Sequence, residues 1–199
     1  MDTDRKWVVV RIEGKIAAIS TDYKALADIS SRLASQKSLL YNKICAETVD
    51  FDYVWELRRS TTWEDLVLFG TDFQKKVWRH LFELTHPSEA DTQGASPSEK
   101  ARLISYSDFA ELCQNKAGVR AVAHAIGLNP VSVIIPCHLV IPKESIDKIA
   151  DIRRKAESTI FKGDDICMDS LLRDKGFDFG EYALGRKLKR SLIQLELGQ

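Results

Sequence analysis

The sequence predicts an α+β chain with a small N-terminal α+β domain. A mostly helical C-terminal domain follows, with a helix-turn-helix and a short strand carrying the candidate active site. Three observations point there. Short Val- and Ile-rich runs separated by a turn open the chain, segments of helical period fill its middle, and an apolar run ends at Pro136 before Cys137-His138.

In the first domain, residues 1–70, Lys6 to Ile12 and Ile16 to Ile19 read as a hairpin about Glu13-Gly14-Lys15. Tyr23, Leu26, Ala27, Ile29, Ser30 and Leu33 then recur at helical spacing over Thr21 to Gln36, with Ser20 or Thr21 as cap. Leu39 to Val49 reads as a further strand. Phe51 to Leu66 shows no clear period and reads as irregular.

Gly70-Thr71-Asp72 starts a helix with Phe73, Val77, Trp78, Leu81, Phe82 and Leu84 on one wide apolar face. It opens the second domain, 71–199. Thr85 to Ser98, rich in Pro, Ser, Gly, Asp and Thr, reads as an exposed loop. Ser107 is placed to cap a short helix with Phe109, Ala110 and Leu112. After Gln114-Asn115-Lys116, Ala117 to Ile126 forms a second helix that buries Val119, Val122, Ala123 and Ile126 and ends at Gly127. Two short helices about a tight turn fit a helix-turn-helix, though small alanine-rich pairs are also common in cores.

The chain has 199 residues, 44% of them hydrophobic, enough for one large domain or two small ones. Cys45, Cys113, Cys137 and Cys167 stand far apart, which fits reduced thiols better than a disulfide framework. No signal-peptide pattern and no run of about eighteen apolar residues is present, so the expectation is an intracellular protein with no membrane partner. With 29 basic and 29 acidic residues the net charge is zero, and no global basic field advertises nucleic acid. Basic residues cluster locally: Lys100, Arg102, Lys116 and Arg120 in the middle, and Arg186, Lys187, Lys189 and Arg190 near the end. Each cluster by itself reads as a solvated face.

Cys137-His138 is the most telling pair. A thiol is a strong nucleophile only as thiolate, and a neighbouring imidazole or an electropositive pocket favours that form. Pro136 cannot donate to a sheet ladder, so the strand Val131 to Ile135 ends there and turns Cys137 out of the core. The pair alone fits an inert cysteine at a strand end better than a nucleophile, because free cysteine is among the most buried residue types.

Ile104-Ser105-Tyr106, Arg120-Ala121-Val122, Asn129-Pro130 and Ile134-Ile135-Pro136-Cys137-His138 together resemble the C-terminal domain of the 6-O-alkylguanine-DNA alkyltransferases. The likeness runs from Phe73 to Val140 and resumes from Gly180-Glu181-Tyr182 to Glu196. It implies DNA repair by irreversible, single-turnover transfer of an alkyl group from the 6-oxygen of guanine to Cys137. It also implies that His138 takes the thiol proton through a water, that Glu196 holds the imidazolium, and that Asn129 is a hinge. Arg120 would fill the space of a flipped nucleotide. Ser105, Tyr106, Val140, Tyr182 and Ala183 would contact DNA or the base. The implied partner is double-stranded DNA containing alkylated guanine, bound by a monomer, in the nucleus of a eukaryote or otherwise in the cytoplasm. The first domain would correspond to the family's ribonuclease H-like domain.

Two departures stand out. Leu139 replaces the arginine that usually follows Pro-Cys-His, and a charged insertion spans about 143–179. Ile146, Ile149, Ile152, Ala156 and Ile160 make it a helix closed by Gly163, with a tail, read as a solvated excursion. No cofactor and no metal are expected, because Cys45, His80 and His86 lack structural-zinc spacing. A lesion-binding relative without repair activity and a helix-turn-helix regulator are the alternatives.

Overall fold

β1 (Trp7–Ile12) runs antiparallel between β2 (Lys15–Ser20) and β3 (Ile44–Val49) in a three-stranded sheet ordered β2-β1-β3. The hairpin turn is Glu13-Gly14, both with positive φ (51° and 85°) between the paired Ile12 and Lys15. Such a turn matches the right-handed twist of the strands it joins. In the computed structural model, residues 5–21, 27, 31, 44–86, 103–157, 171, 172, 174 and 176–197 are described. The expected helix over Thr21 to Gln36 lies outside them apart from residues 21, 27 and 31. Residues 39–43 of the third strand, 87–98 of the expected loop, and Lys100 and Arg102 also lie outside.

Phe51 to Leu66 is not irregular. It forms α1 (Phe51–Ser60) and a 3-10 turn, Trp63–Asp65. Asp50 caps α1 by accepting from the Tyr53 amide at 2.9 Å, and Phe51, Val54 and Arg58 make its buried side. The period is hidden in the sequence because one of its three core positions is an arginine. α2 (Asp72–Glu83) starts as the sequence suggests. Thr71 Oγ1 accepts from the Gln74 amide and the Gln74 side chain accepts from the Thr71 amide, a reciprocal cap that satisfies two orphan donors.

By packing, the chain falls into two compact units, Met1–His86 with His124–Cys137, and Pro87–Ala123 with His138–Gln199. In the first, Val8, Val10, Ile12, Ala17, Ala18 and Phe69 form one apolar cluster. α2 packs within this unit, and Trp78 Nε1 donates to the Ala125 carbonyl at 2.8 Å.

In the second unit, β4 (Ile104–Ser105) pairs in parallel with β5 (Val140–Ile141). α3 (Tyr106–Leu112) follows β4 directly and is capped by Ser105, not by Ser107. The Ser105 hydroxyl accepts from the Asp108 amide at 3.0 Å, and the Ser107 hydroxyl bonds that of Ser105. A 3-10 turn, Lys116–Gly118, leads into α4 (Val119–Gly127). Val122, Ala125 and Ile126 of α4 are buried, whereas Val119 and Ala123 are only half-buried.

α5 (Lys143–Glu157) opens the insertion, which is not a solvated excursion. Ile149 of α5 and Leu171, Leu172, Phe177 and Phe179 of its return are buried in one cluster with Ile141 and with Ile193 of α6 (Arg186–Leu197). Ile160 and Gly163 lie outside the described residues, as does the Ala156 side chain. Among the described residues no helix is long and apolar enough to cross a membrane.

Candidate active site

The apolar run ahead of Cys137 does not form the expected continuous strand. Val131 bridges Ile19, Ser132 bridges Ile135, and between them Val133 turns the chain with φ 74°, a rare conformation for a β-branched residue. The turn is held from outside. The Arg58 guanidinium, buried at 6% exposure, donates to the Val133 carbonyl at 3.0 Å. The Ile19 carbonyl accepts from the Ser132 amide and the Ile19 amide donates to the Pro130 carbonyl, so a strand of the sheet anchors the start of the segment.

Asn129 organises the next stretch of backbone. Its Oδ1 accepts from the Val131 amide at 3.0 Å, and its Nδ2 donates to the Ile135 carbonyl at 2.8 Å and to Cys137 Sγ at 3.1 Å. The Cys137 amide donates to the Ile135 carbonyl, and Cys137 opens a 3-10 turn to Leu139. Cys137 is not turned out of the core as the proline suggests: the chain continues into the 3-10 turn, and the thiol is a reduced, buried group with 8% exposure. A donor on sulfur stabilises the thiolate over the thiol, since only the anion is a strong acceptor.

In the second unit, His138 is fully buried and its Nε2 lies 2.8 Å from Glu196 Oε1, a residue 58 positions along the chain on α6. Glu196 is also buried. A carboxylate so placed fixes the ring orientation and stabilises imidazolium, as the acid does for histidine in other activated nucleophiles. The Tyr182 ring meets His138 edge-on, 6.4 Å between centroids. Leu139, the departure noted in the sequence, is fully buried.

Lys189 is the residue that sequence reasoning missed. Read as one of a solvated basic cluster, it is fully buried, while Arg186 and Lys187 are exposed. Its ammonium donates to the Val140 carbonyl at 2.7 Å and to the Glu181 carbonyl at 3.2 Å, and lies 5.9 Å from the Tyr106 ring centre. Burying an ammonium is costly unless it is hydrogen-bonded, so this geometry ties β5, the Tyr182 loop and α3 to one point. The clue was the period of α6, whose buried positions are Leu188, Lys189, Leu192, Ile193 and Glu196.

The structure thus groups Asn129 with Cys137, His138 with Glu196 and Tyr182, and Tyr106 with Val140 through Lys189. Ser105 supports Tyr106 as its cap. Arg120 and Ala183 stand apart from these groups, and both are exposed. Across the loop, the Arg186 guanidinium bonds Glu181 and holds its carboxyl below the usual glutamate range. Among the described residues no group of three or more His, Cys, Asp or Glu could hold a metal ion.

Residues 99–157 match the family described as the DNA binding domain of 6-O-methylguanine DNA methyltransferase. The segment belongs to that family. Among curated relatives, this chain is similar to the probable methylated-DNA–protein-cysteine methyltransferase of Acanthamoeba polyphaga mimivirus. The two are 41% identical over 81 residues, 41% of this chain and 45% of the relative. The inducible methylated-DNA–protein-cysteine methyltransferase of Bacillus subtilis is 40% identical over 74 residues, 37% of this chain and 34% of its own. The chain therefore covers less than half the length of these methyltransferases. The solved O6-methylguanine-DNA methyltransferase of Pyrococcus kodakaraensis shares the fold, with TM-score 0.55 and 19% identity over 96% of this chain and 91% of that one. The mixed α+β architecture, with a small strand domain ahead of a helical region, is that of the methyltransferase.

Proposed function

We propose that the chain removes an alkyl group from the 6-oxygen of guanine in double-stranded DNA by irreversible transfer to Cys137. The observation that carries this reading is the buried His138–Glu196 pair, which follows in the chain directly after a thiol that accepts a hydrogen bond from Asn129. Cys137 Sγ attacks the alkyl carbon, the S–C bond forms and the C–O bond to guanine breaks. The bonding electrons leave on the guanine, which takes up one proton from solvent, balanced by the one His138 returns to solvent after the transfer. The thiol gives up one proton, through a water, to His138, and Glu196 holds the imidazolium. A thioether is not readily hydrolysed, so each molecule acts once.

Duplex DNA hides the 6-oxygen in the base stack, so the nucleotide must be flipped out, at a cost of a few kcal/mol. We assign Arg120, exposed on the second helix of the helix-turn-helix, to the vacated space. Tyr106, at the start of α3, reaches the DNA backbone and the base, with the buried Ser105 behind it as helix cap and not itself in contact with DNA, and with the Val140 and Tyr182-Ala183 backbone along the guanine edge. The two-domain division at residue 70, action as a monomer and an intracellular site complete the proposal.

Intact-protein mass spectrometry after exposure to O6-benzylguanine tests it. One benzyl increment on Cys137, absent from Cys137→Ala, is expected. Duplex bearing labelled O6-methylguanine should likewise transfer at most one label per protein. Label left on the DNA with normal duplex binding would instead identify a lesion-binding protein, and marked sequence preference a regulator.

A further inference from the structure

Arg190 follows Lys189 on α6 and serves the stem of the same loop. Its Nη1 donates to the carbonyl oxygens of Leu171 (3.3 Å), Leu172 (2.9 Å) and Asp174 (2.5 Å), and its Nη2 to that of Phe177 (2.7 Å). The guanidinium also lies over the Phe179 ring, 4.9 Å from its centre. One permanently charged, planar group thus gathers four backbone carbonyls of the insertion's return and stacks on a fifth residue. A lysine ammonium, with three donors at one point, cannot reach the same set.

From this anchor the chain runs tightly into the loop assigned to the guanine edge. Ser145 Oγ on α5 donates to the Asp178 carbonyl at 2.5 Å, and Asp178 Oδ1 accepts from the Gly180 amide at 2.8 Å. Gly180 has φ 81°, and a Cβ there would stand 3.0 Å from Pro142 Cδ, so the stem passes close against the start of the insertion. Lys189 then takes the Glu181 carbonyl. Phe177, Asp178, Gly180 and Glu181 are each held, and Tyr182 comes next.

We infer that Arg190 is a positioning residue for the alkyl transfer. By fastening the return of the insertion, it sets where the Tyr182-Ala183 backbone meets the guanine edge. The insertion is then a working part of the base pocket. Arg190 touches no reacting atom, and the inference rests on the proposed dealkylation.

The test compares three measurements in wild type, Arg190→Ala and Arg190→Lys, well below each variant's melting temperature. These are the rate of benzyl transfer from O6-benzylguanine, the rate of Cys137 alkylation by iodoacetamide, and affinity for an undamaged duplex. Benzyl transfer should fall by about ten- to a hundred-fold in Arg190→Ala and less in Arg190→Lys. Iodoacetamide reaction and duplex affinity should stay within about two-fold, because neither uses the guanine edge. Unchanged benzyl transfer in Arg190→Ala, or a parallel fall in benzyl transfer and iodoacetamide reaction, would overturn the assignment. If Arg190→Ala does not fold, Arg190→Lys carries the same comparison, with the same results supporting or overturning the assignment. A wild-type protein that reacts with iodoacetamide but accepts neither benzyl nor the labelled methyl group of an O6-methylguanine duplex refutes the dealkylation reading itself, a separate and recognisable result.

Discussion

Asn129 Nδ2 stands 3.1 Å from Cys137 Sγ and 2.8 Å from the Ile135 carbonyl, so one amide group holds both the thiol and the backbone that presents it. Asn129→Ala removes three hydrogen bonds from this segment, including that to the Val131 amide. Stability should fall by about 1–3 kcal/mol, read from urea unfolding. Transfer to Cys137 should slow by more than the same loss of stability causes elsewhere. Equal slowing in a destabilised control such as Thr71→Ala would remove the special role of Asn129.

Glu196→Gln keeps the size of the side chain and a hydrogen bond to His138 but loses the charge facing the ring. If the imidazole must accept a proton, transfer should drop on the order of a hundred-fold or more. The rate should recover in part at higher pH, where the thiol ionises unaided. A drop with no pH recovery would mean that Glu196 acts in packing alone.

Arg58 donates to the carbonyl of a residue with φ 74° in the turn before Cys137. Arg58→Met fills similar volume with no donor and leaves the buried Val133 carbonyl without this bond. A loss of about 1–3 kcal/mol is expected, with the heaviest loss of amide-exchange protection at Val133 to Ile135. Uniform loss across the first unit would refute the local role.

Glu181 is held below the usual glutamate range first by its hydrogen bond from Arg186, then by the attraction of Arg186 and Lys189. A folded value below the unfolded one means that the pairing stabilises the loop above the ordinary glutamate range. That contribution fades as pH falls through the lowered folded value. NMR titration of the Glu181 carboxyl should show the depressed midpoint, and Arg186→Ala should return it toward the ordinary value. An unmoved midpoint would dismiss the pair.

How much of this was legible in the sequence depends on which physical signal each part carries. The hairpin and α2 were readable because turn and cap residues act locally: Glu13-Gly14 and Thr71-x-x-Gln74 need no distant partner. The candidate site was readable as a resemblance, through ordered motifs around Asn129, Cys137 and Glu196. α1 was not, because its apolar stripe passes through Arg58, whose burial depends on a carbonyl 75 residues away. Lys189 was hidden for the same reason: its two acceptors, on Val140 and Glu181, come from separate segments. The strand expected before Cys137 failed at Val133, since neither composition nor period signals a positive φ in a β-branched residue. The insertion's packing depended on Phe177 and Phe179 returning to Ile149, a long-range fact.

Ser105 ends β4, caps α3 and is completely buried, and Tyr106 is the next residue in the chain. The direction in which the phenol leaves the backbone is therefore decided by short-range bonding, with the Lys189 ammonium beside the ring. Much of the ordering of this aromatic group is completed during folding. Under the proposed function, an arriving base meets a wall already standing, and less of its binding energy goes into building one.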